Sequence, residues 1–177
     1  MELVQPSASY KDSFIEAVGE YKHDTVDSFR HTKYRELSLP ELGSDFDAFV
    51  TRELGKAKGE NLPEWYVPQT DYWLVDDGEF IGRVSIRHSL TEHLRRIGGH
   101  IGYDIRPSKR RQGYGTKILQ LALPKARELG VGRVLVTCDA DNTASRKIIE
   151  KNGGVLENEV PNPETGGTKM RFWIDIP

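Results

Sequence analysis

The chain has 177 residues, of which 37% are hydrophobic and 29% charged, with a net charge of −2; this is enough for one domain with a real core and too little for two. No run approaches the ~18 apolar residues of a membrane-spanning helix, and the start MELVQPSASYKD lacks a basic patch ahead of an apolar stretch, so the expectation is a soluble, unprocessed protein with no membrane partner. The only cysteine, Cys138, has no internal disulfide partner, which suits a reducing cytoplasm.

Residues 10–22 place Phe14, Ile15, Val18 and Tyr21 near one helical face. Residues 44–58, opening at Ser44 or Asp45 as cap, repeat the pattern with Phe46, Phe49, Val50 and Leu54. Two helices are predicted there, with loops around Leu39-Pro40-Glu41-Leu42-Gly43 and Gly59-Glu60-Asn61-Leu62-Pro63. Residues 72–75 and 80–86 read as strands joined through Asp76-Asp77-Gly78, a tight hairpin. Residues 87–96 predict a helical turn, and Gly98-Gly99 leads into a strand over 100–105 that Pro107 ends. A helix over 116–129 follows, bent or divided by Pro124. A strand over 134–138 comes next, and the alternation of Met170, Phe172, Ile174 and Ile176 makes a last strand over 168–176 that pairs with 155–160.

Between the strand at 100–105 and the next helix lies Arg110-Arg111-Gln112-Gly113-Tyr114-Gly115. A loop that opens a helix aims unpaired backbone N–H groups at one point, and glycine removes side chains that would keep an anion away. It is not a P-loop, because only Tyr114 separates the two glycines, and not a dinucleotide fingerprint, because position 118 is Ile. What remains, Arg-x-x-Gly-x-Gly, resembles the acyl-CoA pyrophosphate signature of the GNAT acetyltransferase superfamily. Asn142, Ser145 and the run Glu150-Lys151-Asn152-Gly153 are similar to a later element of the same superfamily, an Asn beside the splayed fifth strand and the helix after it. The two matches span residues 99–154, and the wording from Gly98 to Ser108 resembles a bacterial subgroup with no assigned acceptor.

The resemblance implies one domain over residues 1–177, an α/β fold with a mixed, mostly antiparallel central sheet, a splayed strand pair at the CoA site, and flanking helices. It implies transfer of acetyl from acetyl-CoA to a primary amine of a small molecule or peptide, by direct attack in a ternary complex and without a metal. Backbone groups of Gln112, Gly113, Tyr114, Gly115 and Thr116 would then face the pyrophosphate, with Arg110 and Arg111 near phosphate oxygens. Ile105 would offer its backbone to the pantetheine arm. Asn142 and Ser145 would lie near the pantetheine or the thioester sulfur, or cap the following helix, and both roles can coexist.

Candidates for the base that takes the amine proton, directly or through water, are Glu92 and His100, while His88 and His93 have no stronger claim. Two residues depart from the family pattern: Ile149 stands where many members have a Tyr acid, and Gly154 replaces a Phe. Tyr103 is the candidate substitute, because alternation puts it on the same strand face as Ile105. The missing Tyr also motivates a rival reading, a CoA-binding sensor with little turnover. Homodimers are common in the superfamily, but no residue here marks an interface.

Residues 1–80 carry 8 Lys and Arg against 17 Asp and Glu, and residues 81–177 carry 17 against 10. The basic half matches CoA phosphates, while the acidic half suits either a cationic amine acceptor or a solvated helical surface. The cluster from Arg106 to Arg111 is short, the pI is about 6.2 and no aromatic array accompanies it, so nucleic acid is not an expected partner. Asp139-Ala140-Asp141-Asn142 lacks the Gly and terminal Glu of a calcium loop, so no metal is expected.

Overall fold

A computed structural model describes residues 1–25, 33–60, 62–63 and 66–176. Its elements are β1 (Glu2–Val4), α1 (Lys11–His23), α2 (Leu39–Ser44), α3 (Phe46–Gly55), β2 (Gln69–Asp76), β3 (Glu79–Arg87), β4 (Ile101–Ile105), α4 (Tyr114–Glu128), β5 (Arg133–Asp139), α5 (Thr143–Lys151), β6 (Val155–Pro161) and β7 (Thr168–Asp175). The strands form two antiparallel sheets, one in the order β1-β2-β3-β4 and the other β5-β7-β6. This is the α/β arrangement of antiparallel sheet and flanking helices that the resemblance implies, with the sheet divided in two.

The hairpin of β2 and β3 turns at Asp77 and Gly78, both with positive φ, as a two-residue turn between twisted strands requires. Alternation along β2 then divides the core. Trp73 and Val75 join Phe14, Tyr21, Tyr34, Phe46, Phe49 and Phe80 beneath α1 and α3, and Phe14 stacks on Trp73 at 4.7 Å between ring centroids. Tyr72 and Leu74 point the other way, into an aliphatic core with Val84, Ile86, Ile105, Ile118, Leu119 and residues of the second sheet such as Val136 and Phe172.

Several details differ from the sequence reading. Leu39–Ser44 is a short helix, because Ser38 accepts the Glu41 N–H and Pro40 sits in the first turn, where its missing N–H costs nothing. The stretch 59–63 is only partly among the described residues. α3 is capped by Asp45 and ends at Gly55, followed by a 3-10 turn. On it Glu53 is buried and Leu54 exposed, the reverse of the expected apolar face, because Glu53 pairs with Lys56 and faces the polar end of β2. β1 has no counterpart in the sequence reading. α4 is not divided at Pro124.

Among the described residues, backbone hydrogen bonding joins the two sheets at one point. At Gly99, φ is +68° and an added Cβ would lie 2.6 Å from the Leu135 carbonyl, so only glycine lets the start of β4 approach β5 so closely. There the His100 N–H donates to the Leu135 carbonyl at 2.7 Å, and no rung of a ladder joins β4 and β5 beyond it. The strands splay apart, and the gap between them is the floor of the main cleft.

Candidate active site

The cleft has a volume of 1870 Å³ and is lined by β4, the loop ahead of α4, the end of β5, the start of α5 and the connections β3–β4 and β6–β7. At one end stands the N-terminus of α4. Gly113, the residue before it, has φ +87°, a conformation that favours glycine, and Arg111 is also left-handed at +61°. The Thr116 and Lys117 N–H groups donate back to the Gly113 carbonyl. Those of Gly113, Tyr114 and Gly115 have no acceptor among the described residues, and no side chain caps the helix. Unpaired N–H groups at a helix N-terminus, with the positive end of its dipole, make an anion cradle.

The residues of this loop divide between the cleft and the fold. Arg111 is exposed, lines the cleft, and has no ion-pair partner among the described residues. Arg110 also lines the cleft, but its Nε donates to the Ile105 carbonyl at 3.1 Å and its Nη2 to Asp24 at 2.7 Å, so it ties the loop to β4 and α1. The Gln112 side chain donates to the Ser108 carbonyl and the Tyr114 hydroxyl to Asp76, both away from the cleft. Thr116 lines the cleft. An added Cβ at Gly115 would meet Ile148 at 2.5 Å, so this glycine serves the packing of α4 against α5 as well as the cradle.

β4 presents the middle of the cleft. The Arg106 N–H donates to the Ile81 carbonyl and the Arg87 N–H to the His100 carbonyl. In an antiparallel ladder the bonding pairs alternate, so the even residues of β4 pair with β3, and Tyr103 and Ile105 turn their backbone groups toward the gap. The Ile105 carbonyl takes Arg110, which leaves the Ile105 N–H and both groups of Tyr103 facing the gap.

Across the gap, the Tyr103 hydroxyl and Ser145 Oγ lie 2.9 Å apart. Burial pushes the Tyr103 phenol well above its usual range, and its hydrogen bond to Ser145 opposes this only in part. It therefore keeps its proton at neutral pH. Asn142 caps α5, its Oδ1 accepting the Ser145 N–H at 3.0 Å, and lines the cleft as well. Cys138 also lines the cleft, with burial raising its thiol to about 11.

The two expected bases are placed differently. Glu92 is exposed on the β3–β4 connection and lines the cleft. His100 is not among the lining residues: its Nδ1 accepts the Leu135 N–H at 2.9 Å and its ring lies beside Trp173. Burial, with Arg95 and Arg87 nearby, lowers its pKa to about 4. His93 stands 3.5 Å from Glu164, linking the β3–β4 and β6–β7 connections at the rim.

Sequence reasoning missed the far wall. Arg83 donates to Asp104 at 2.8 Å and to Ser85, and Asp104 also accepts the Tyr21 hydroxyl. Arg87 lies beyond them, against Tyr66. The signal was present in Arg83-Val84-Ser85-Ile86-Arg87, whose alternation puts both arginines on one face of β3. The basic run from Arg106 to Arg110 is largely neutralised within the fold, Arg106 by Glu16, Glu20 and Glu79 and Arg110 by Asp24.

The family model for the acetyltransferase (GNAT) domain matches residues 28–155, and the chain belongs to this family. Among solved structures, RimL, the ribosomal L7/L12 alpha-N-protein acetyltransferase in complex with coenzyme A, is similar at a TM-score of 0.69 and 20% identity, over 98% of this chain and 93% of that one. The microcin C7 self-immunity acetyltransferase MccE, in complex with acetyl-CoA and AMP, gives a TM-score of 0.69 at 16% identity, over 98% and 91%. RimJ from Mycobacterium smegmatis, with a CoA disulfide, gives 0.68 at 15%, over 98% and 80%. No curated protein sequence matches significantly.

Proposed function

We propose that the chain transfers an acetyl group from acetyl-CoA to a primary amine of a small molecule or peptide, by direct attack within a ternary complex. One observation carries the reading: a single cleft joins the unpaired N–H groups at the start of α4 to the outward-facing backbone of β4 and the Tyr103–Ser145 pair. The cradle formed by Gly113, Tyr114 and Gly115 holds the pyrophosphate, with Arg111 at its rim. The backbone of Tyr103 and Ile105 continues as a strand edge for the pantetheine amides, which brings the thioester to Tyr103 and Ser145.

The amine lone pair attacks the thioester carbonyl, and the carbon–sulfur bond breaks as the tetrahedral intermediate collapses. Glu92, directly or through water, receives the amine proton. Tyr103 gives a proton to the departing thiolate, the role left open by Ile149, and recovers it from solvent through Ser145. Burial keeps this phenol protonated, so it has a proton to give and does not serve as the base. His100, with Nδ1 occupied and a pKa of about 4, orders the junction of β4 and β5.

The test is thiol release from acetyl-CoA with a panel of amines and amino-terminal peptides. Turnover is expected with at least one acceptor, and Tyr103→Phe is expected to lower kcat about 100-fold, at the low end of general acid catalysis, with CoA affinity unchanged. CoA binding without thiol release from any acceptor would replace the enzyme by a sensor of the same fold.

A further inference from the structure

On β3, in the far wall of the cleft, stands a cation with no counter-charge among the described residues. Arg83 is paired with Asp104, Arg110 with Asp24 and Lys169 with Asp139. Arg87 is different. Its Nε donates to the Tyr66 hydroxyl at 3.2 Å, and its Nη1 donates to the Gly98 and Gly99 carbonyls at 3.1 and 2.9 Å. Three of its five N–H bonds are thus spent on neutral oxygens, which fix the plane of the guanidinium without cancelling its charge. Both hydrogens of Nη2 have no acceptor among the described residues.

The floor beside it is open. Gly102, on β4 next to Tyr103, has no side chain, and a Cβ added there would find only the Arg87 Nη1 and Nη2 atoms within 4 Å, each at 3.9 Å. A half-buried, pinned and uncompensated guanidinium facing vacant space above a glycine is prepared for a planar oxyanion. One such cation matches the single charge of a carboxylate. Alternation turns Gly102 to the face of β4 opposite the Tyr103 ring, so a carboxylate held there enters the same cleft from the other face and belongs to the acceptor.

Resting on the acetyl-transfer reading, we propose that Arg87 binds a carboxylate carried by the acceptor amine, over the floor made by Gly102. The carboxylate belongs either to a free amino acid or to an acidic residue near the amino terminus of a peptide. The chemistry at Arg87 is the same for both.

Thiol release is measured for amino acids against their carboxamides in one arm. The other arm uses amidated peptides with Asp or Glu at the first two positions against their Asn or Gln counterparts. In one arm the carboxylate member is expected to win by tenfold or more in kcat/KM, mostly through KM, and the arm that responds names the source. Arg87→Gln is expected to lower kcat/KM at least tenfold more for the carboxylate member than for its amide, and Arg87→Lys to restore part of the preference. A fold defect lowers both members alike, which the ratio removes.

Binding of N-acetylated amino acids and acidic N-acetyl peptides to the CoA-loaded protein, each against its amide, reads the same preference without turnover. Absence of all thiol release with carboxylate binding intact would therefore overturn the acetyl-transfer reading and leave Arg87 as a carboxylate site whose ligand is not an acetyl acceptor. Equal use and equal binding of carboxylate and amide members, or an Arg87→Gln loss shared by both, would overturn the assignment of Arg87.

Discussion

Ile149 is fully buried in the aliphatic core, and a Cβ at Gly154 would lie 2.4 Å from its Cγ2. The two departures from the family pattern are therefore one packing event, since the small residue at 154 makes room for the branched one at 149. At this turn of the helix the cleft is lined instead by Lys147 and Ile148. The phenol that lies beside α5 in the cleft is Tyr103, which reaches Ser145 from β4. At the same scale, His100 makes stability depend on pH. Its pKa falls from the usual 6.5 to about 4 in the fold, so the unfolded chain binds its proton more readily. Its contribution is fully present above about pH 6.5 and is lost as pH falls toward 4. Urea unfolding between pH 7 and 4 is expected to show a shallower loss for His100→Asn than for the parent chain; identical slopes would mean that the imidazole is not held neutral.

Elements behave as their faces dictate. α1 places Phe14, Ala17, Val18 and Tyr21 in the core, and the ring of Phe14 meets Tyr34, Phe46, Phe49, Trp73 and Phe80. Phe14→Ala is expected to cost about 3–5 kcal/mol, the range for a large buried aromatic whose site cannot collapse, read as a shift in the denaturant midpoint. A loss under about 1 kcal/mol would show that α1 repacks without it. The periodicity of α1, the Asp-Gly turn and the strand alternations were legible because each is local. α3 was only half legible: its apolar period points to Leu54, but long-range pairing buries Glu53 beside Lys56 and Asp71. No local pattern carries that information. Leu39–Ser44 was misread for another reason, since Pro and Gly mark loops in general but Pro after a Ser cap also starts helices.

In the whole molecule, the cleft follows from how the two sheets meet. They join at Gly99 and Leu135 and part beyond, so that α4 points its N-terminus at one end of the gap and Arg87 stands at the other. The loop ahead of α4 was legible from six residues because its open N–H groups are a property of the backbone, which the glycine at 113 reveals. The opposite wall was not, because Arg83, Arg87 and Asp104 reach the cleft only when β3 and β4 are paired. Among the described residues no helix is long and apolar enough to cross a membrane. The acidic half of the chain is spent partly on this assembly, with Glu16, Glu20 and Glu79 around Arg106 and Asp24 on Arg110 holding the loop ahead of α4 against α1.

Calorimetric titration of CoA into the parent chain and into Gly113→Val tests that assembly most directly. A valine at φ +87° is strained and crowds the N–H groups of the cradle. Binding by the parent chain, with affinity reduced tenfold or more in the variant while the fold persists by circular dichroism, is the predicted result. Equal affinity in a folded variant, or no binding to the parent chain, would contradict the assignment of the α4 N-terminus to the pyrophosphate.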